Sequence, residues 1–322
     1  MNMDYSELNL QIQKLWPMTE DLIFHRNVAN DIYFSKINNQ EVVVRLTPSS
    51  QRSVEEIASE LDWINHLKKN SVNVCQTVLS LNNEEIETLN FLSKTYHVVV
   101  FKKVNGARLA DRSLNLDIVR NWAHNMAKMH NLSENYTPPH GSPKRKFWHE
   151  DSAFLKSLEA HNESTEEIKT ETLKIISWMK SQPQSKSNFG LIHADLHTGN
   201  FFCENNELFI FDFDDSAYHW FLYDLTIPIM SILRDYEGPE FINEKMLFIN
   251  AFINFYFEKR ERPVNWKEDL IKFCKFNCFL THFWLIAIRK ERNLSEKMSQ
   301  NFDKSILWDG REGLNPELLN LL

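Results

Sequence analysis

Glycine is scarce: the chain has 7 among 322 residues, all at or beyond Gly106. No turn before Gly106 can rest on glycine's conformational freedom. The four cysteines, Cys75, Cys203, Cys274 and Cys278, show neither zinc-ribbon nor disulfide-framework spacing. Cys274 and Cys278 read as two buried thiols one helical turn apart. Excess positive charge is also missing. A net charge of −8 argues against affinity built on nucleic-acid phosphates, and "SPKRKF" at 142–147 is too short to reverse it. The most apolar stretch, "WFLYDLTIPIMSIL", is cut by Asp224 and Pro228 and falls short of the roughly 20 residues of a membrane span. The opening "MNMDYSELNL" lacks the basic and apolar segments of a secretion signal, so a cytoplasmic location is expected. Repeats and low-complexity tracts are absent, and nothing signals for or against self-association.

What remains is a globular composition, 43% hydrophobic and 25% charged, long enough for two lobes. From Asp21 to about Phe101 the pattern favours strands, with "DIYFSKI" and "EVVVRL" joined by the turn "NNQ", and later "YHVVVF". One helix interrupts them, "SVEEIASELDWINHLKK", whose Val54, Ile57, Leu61, Ile64 and Leu67 share a face. Ser53 and Glu56 form a capping-box pair at its start, which leaves Glu60 beside the apolar stripe without a local role. From about Leu114 helical periodicity dominates, in "LDIVRNWAHNMAKMHNL", "EEIKTETLKIISWMKS" and Phe241 to Arg292. The exception is a strand pair, "NFFCENNELFIFDF", turning at "ENNE". The expected architecture is α+β: a small antiparallel-sheet lobe with one helix over 1–103, a connector near Lys102 to Gly106, and a mainly helical lobe over 104–322.

Just before that hairpin stands "LIHADLHTGNFF". Phosphoryl transfer from a nucleotide asks a protein mainly to position groups and neutralise charge. A carboxylate orients the attacking hydroxyl, and an amide oxygen five residues later holds Mg²⁺, giving His-x-Asp-x-x-x-x-Asn. His193, Asp195 and Asn200 have that spacing, and "LFIFDFDD" delivers Asp212 at the end of the following strand to grip the same metal.

"GLIHADLHTGNFF" followed by "FIFDFDD" and "YDL" resembles the aminoglycoside phosphotransferase family, protein-kinase-like enzymes that also include choline and homoserine kinases. The resemblance is dense from about Phe189 to Leu225 and looser elsewhere. It implies a protein-kinase-like two-lobe fold and an ATP-dependent O-phosphotransferase, with ATP in the cleft between lobes and its adenine against the connector near Phe101 to Lys103. By position, Asp195 resembles the catalytic base, Asn200 and Asp212 the Mg²⁺ ligands, and His193 and His197 loop-bracing residues. Asp224 resembles a structural aspartate, Arg45 the basic residue over the nucleotide phosphates, and Glu60 its helix partner. Two departures stand out: arginine replaces the protein-kinase lysine at 45, and the phosphate-covering turn near "RNVANDIYF" has no glycine, which leaves Asn27 or Asn30 to supply a left-handed conformation. Ala194 stands where protein kinases carry an arginine, and no Ala-Pro-Glu follows Asp212. A permanently assembled site and a small acceptor follow.

The acceptor is a hydroxyl of a small molecule: an aminoglycoside, an amino alcohol, a homoserine-like metabolite or a sugar, with a protein hydroxyl also open. Asp215 is a candidate for contacting it, and Glu237, Glu240, Glu258 and Glu261 could line a pocket for a cation or simply serve solubility. Trp148, Trp220, Trp266 and Trp284 read as core or pocket walls. Two other functions compete. His193, Asp195 and His197 alternate, so on a strand they would share one face and could bind zinc in a hydrolase. A catalytically silent nucleotide-binding module of the same fold is the other.

Overall fold

The computed structural model describes residues 6–27, 30–110, 113–142, 144–150, 154–155, 158–159, 164–236 and 239–291. Val28 and Ala29 of the phosphate-covering turn, Glu237 and Arg292 lie outside them. The chain forms two compact units: Met1–Arg108 with Tyr136–Arg145 and Asn200–Asp214, and Leu109–Asn135 with Lys146–Gly199 and Asp215–Leu322.

The first unit holds α1 (Ser6–Leu15), β1 (Ile23–Asn27), β2 (Asp31–Ile37), β3 (Gln40–Pro48), α2 (Val54–Lys69), β4 (Gln76–Thr77), β5 (Glu87–Phe91) and β6 (Lys94–Lys102). The six strands form one antiparallel sheet in the order β1-β2-β3-β6-β4, with β5 also on β6. Alternation along β3 sends Val42, Val44 and Leu46 to one face, where they pack with Leu8, Ile12 and Trp16. Arg45 has the opposite phase and meets α2 instead. The capping box forms as the sequence predicts: the Ser53 hydroxyl accepts the Glu56 N–H, and the Glu56 carboxylate accepts the Ser53 N–H.

Tight turns without glycine explain how so glycine-poor a chain builds hairpins. Between β2 and β3, Asn38 and Asn39 take φ values of 50° and 64°, the left-handed pair that a two-residue hairpin of matching twist requires. Asn205 and Asn206, at 52° and 66°, do the same between β8 (Phe201–Glu204) and β9 (Glu207–Ile210). Asparagine tolerates this region better than other residues with a side chain. Asn27, expected as a possible left-handed residue, is instead the last residue of β1, where its amide donates to the Asp31 carboxylate and extended pairing fixes its backbone.

The β8–β9 hairpin belongs to the first unit by backbone bonds. Cys75 N–H donates to the Ile210 carbonyl at 2.9 Å and Ile210 N–H to the Asn73 carbonyl at 2.8 Å. On its other side Ala107 and Cys203 exchange both backbone bonds. The crossing explains Gly106: at φ 85° its Cβ would sit 2.6 Å from the Cys203 carbonyl oxygen, closer than any side chain permits.

The second unit contains α3 (Leu116–Ser133), α4 (Glu166–Ser181), β7 (Phe189–Ile192), β10 (Ala217–Trp220), α5 (Phe221–Asp224), α6 (Thr226–Asp235), a 3₁₀ turn (Pro239–Phe241), α7 (Ile242–Phe257) and α8 (Trp266–Glu291). β7 and β10 pair antiparallel from Ala217↔Ile192 to Trp220↔Phe189, a ladder the helical reading of this region did not contain. Trp148, Met179, Ile192, Trp220, Phe273, Phe276 and Phe283 share one core. Cys274 and Cys278 are both fully buried on α8, and neither is in a disulfide. Trp284, expected in the core or a pocket wall, is 40% exposed and so not a core residue. No described helix is long and apolar enough to cross a membrane.

Candidate active site

The loop after β7 is built around a strained residue. Ala194 has φ 67°, a conformation that costs an L-residue about 1–2 kcal/mol. Asp224, completely buried at the end of α5, offsets that cost: its Oδ1 accepts the Ala194 N–H at 2.9 Å and its Oδ2 the His193 N–H at 3.3 Å. The same Oδ2 is 2.9 Å from Nε2 of His130 on α3, whose Nδ1 is 2.8 Å from the Tyr256 hydroxyl on α7. Burial holds the His130 pKa below its ordinary value although Asp224 pulls it up, so the ring is neutral. A carboxylate can only accept, so Nε2 carries the proton and Nδ1 accepts from Tyr256.

The rest of the loop is tied by its own histidines and by residues of α3 and α6. Nδ1 of buried His193 accepts the Asp195 N–H at 3.3 Å, and the Trp122 indole donates to the Leu196 carbonyl at 3.2 Å. His197 Nδ1 accepts the Gly199 N–H at 2.9 Å, and the Thr198 hydroxyl donates to Asp235 at 2.8 Å. The Asp195 side chain is left 40% exposed, with His197 Nε2 at 3.7 Å. Each histidine ring thus accepts a backbone N–H of its own loop.

In the first unit, Asn200 and Asp212 flank the open end of the β8–β9 hairpin, where the Phe211 N–H donates to the Asn200 carbonyl at 3.0 Å. Asp212 takes φ 68° and presents a 30% exposed carboxylate to Arg26 at 3.1 Å. A side-chain amide and a carboxylate are hard oxygen donors of the kind Mg²⁺ accepts alongside phosphate and water, so the pair fits that ion.

Two residues on, Asp214 is buried. Arg52 Nε donates to its Oδ1 at 3.2 Å, while Arg52 and Arg145 donate to its backbone carbonyl at 3.2 and 2.5 Å. Burial opposes its charge, but Arg52, Arg45 and Arg145 hold its pKa below the carboxylate range. Arg145 also reaches the Glu56 carbonyl on α2 at 2.9 Å. Reading the sequence missed this clamp, whose sole local trace is the doubled aspartate after Phe213. Asp215 is exposed and lies in the second unit.

Arg45 and Glu60 form a bidentate pair, NH1 to Oε1 and NH2 to Oε2, both at 2.8 Å. Their side chains are 5% and 1% exposed. Burial works against the guanidinium's charge, yet Glu60 raises its pKa above the usual value. The Phe101 ring lies 5.2 Å from Arg45 Cζ, and Lys103 pairs with Glu41 at 2.8 Å. Glu258, an acidic pocket candidate, pairs with His124 at 3.0 Å, and Glu240 and Glu261 are exposed.

The zinc reading is not met. His193, Asp195 and His197 lie past the end of β7 in a loop, not on one strand face. Among the described residues no three His, Cys, Asp or Glu side chains come together as metal ligands.

An antiparallel sheet with the helices α1 and α2, and a second unit mainly of helices, together with an Asp-x-x-x-x-Asn loop, are those of a protein-kinase-like fold. The chain belongs to the phosphotransferase enzyme family, whose model matches residues 22–249. It is 26% identical over 264 residues to amicoumacin kinase of Bacillus subtilis (strain 168), covering 80% of this chain and 78% of that protein. Among solved structures it resembles amicoumacin kinase hAmiN in complex with AMP-PNP, Ca²⁺ and its ligand, with TM-score 0.82 at 22% identity over 96% of this chain and 94% of the other. A microcompartment-associated aminopropanol kinase gives 0.76 at 20% identity, covering 99% and 100% of the two chains.

Proposed function

We propose that this phosphotransferase moves the γ-phosphate of ATP to a hydroxyl of a small amino alcohol or of a larger compound that carries one. The observation that carries the reading is the Asp195 loop, braced by Asp224, Trp122 and Asp235 with the Asp195 carboxylate left accessible. Asp195 orients the acceptor hydroxyl and takes its proton as the oxygen attacks phosphorus in line. Asn200 and Asp212 would hold Mg²⁺, which neutralises phosphate charge when bound. Arg45 and Glu60 fix the sheet against α2, with Phe101 beneath the guanidinium and Lys103 beyond it in the expected adenine-binding region. Asp215, exposed and anionic, suits an acceptor amine. Similarity to an amicoumacin kinase and an aminopropanol kinase supports an amine-bearing acceptor. An ATP donor suits the cytoplasm.

The deciding experiment is ADP release with Mg²⁺-ATP across a panel of amino alcohols, aminoglycosides, amicoumacin-type compounds, hydroxy amino acids and sugars. Turnover confined to amine-bearing hydroxyl compounds is the expected result. Nucleotide binding without turnover on any acceptor would make the chain a binding module instead.

A further inference from the structure

Arg26 lies 186 residues from Asp212 in the chain, yet its guanidinium is 3.1 Å from the carboxylate proposed to hold Mg²⁺. Three features make this more than a surface contact. First, the register of β1 on β2 shifts between Phe24, opposite Tyr33, and Arg26, opposite Ile32, so His25 is an extra residue in the ladder. Such a bulge re-aims the side chains beside it. Second, Arg45 is enclosed and already engaged: each terminal nitrogen donates to a Glu60 oxygen, and the two side chains are only 5% and 1% exposed. Third, the Arg26 side chain is 47% exposed next to the last residue of β1, where a ligand can reach it.

A divalent cation and a guanidinium cannot both hold the Asp212 carboxylate at contact distance without repelling one another. An exposed pair of this kind releases at little cost. A cation held there with a nucleotide would bring phosphate oxygens, which match the planar fork of arginine. We propose that Arg26 is a phosphate-contacting residue of this site, its guanidinium able to exchange the Asp212 carboxylate for the phosphates of a Mg²⁺-nucleotide. It thereby supplies by charge what a glycine-rich turn supplies by backbone approach. This rests on the nucleotide-binding reading above.

The test is calorimetric binding of AMP-PNP with Mg²⁺ to wild type, Arg26→Ala and Arg26→Lys, with thermal shifts by adenosine at high concentration as the phosphate-free control. Arg26→Ala should weaken AMP-PNP roughly ten-fold or more and leave the adenosine shift unchanged, while Arg26→Lys recovers part of the loss. The unliganded melting temperature should barely move, since the pair is exposed. Equal AMP-PNP affinity in wild type and Arg26→Ala, or equal loss for adenosine and AMP-PNP, would overturn the assignment. If wild type itself fails to bind AMP-PNP, the nucleotide-binding reading falls first.

Discussion

Asp224 accepts the Ala194 N–H at 2.9 Å from a position with no solvent contact, and so keeps a left-handed alanine beside the proposed base. Asp224→Asn preserves the volume but turns an amide NH₂ toward N–H groups that need an acceptor. A loss of about 2–4 kcal/mol in urea unfolding is expected. Turnover should fall further than folding alone explains, because small displacements of a positioned group cost roughly 10²-fold. Ala194→Val, with a branched side chain at positive φ, should destabilise by about 1–3 kcal/mol.

Asp195→Asn should lower turnover roughly 10²- to 10⁴-fold while leaving nucleotide affinity near wild type. Asp212→Ala should do the reverse, abolishing the Mg²⁺-dependent part of the thermal shift with ATP. A variant pair in which both effects coincide would show that the two residues do not divide the work as proposed.

Glu60→Ala strands a buried guanidinium and should cost about 3–5 kcal/mol in denaturant unfolding. Arg45→Lys keeps the charge but can reach only one carboxylate oxygen well, so an intermediate loss is expected. The double replacement Arg45→Met with Glu60→Met should be far milder than Glu60→Ala, since a buried pair exchanged for packed apolar groups is often neutral.

His130 makes stability depend on pH. Its folded pKa lies below the unfolded 6.5, so the unfolded chain binds the extra proton between the two values. Stability is therefore full above about pH 6.5 and declines as pH falls toward the folded pKa. Buried His219, also lowered by burial, acts in the same direction. Melting temperatures recorded from pH 8 down to pH 5 should fall, and less steeply in His130→Gln.

The sequence was most legible where one local pattern sufficed. The Ser53–Glu56 box, the helix at 166–181 and the Asn-Asn hairpins all depend on neighbours within a few positions. Placing Glu60 beside the apolar stripe of α2 also followed from helical periodicity, and it is 1% exposed. What could not be read was long-range: Arg52 meets Asp214 across 162 residues and Arg26 meets Asp212 across 186, distances at which no spacing rule operates. The β7–β10 ladder was hidden for another reason. Its four-residue strands are too short for alternation to show, and they sit among helices. The Asn27 expectation failed because strand pairing with Asp31 outweighs the residue's tolerance for a left-handed turn.

The packing of the sulfur atoms has a practical side. Burial pushes the Cys274 thiol up to about 12 and raises those of Cys75 and Cys203 too, while Cys278 is wholly enclosed. Thiolate, the reactive species toward alkylating reagents, is thus disfavoured at Cys75, Cys203 and Cys274, and Cys278 is closed off by burial. A single cysteine introduced on an exposed helix face would stand out chemically against that silent background, so a fluorophore could be attached at one chosen point without first removing any natural residue.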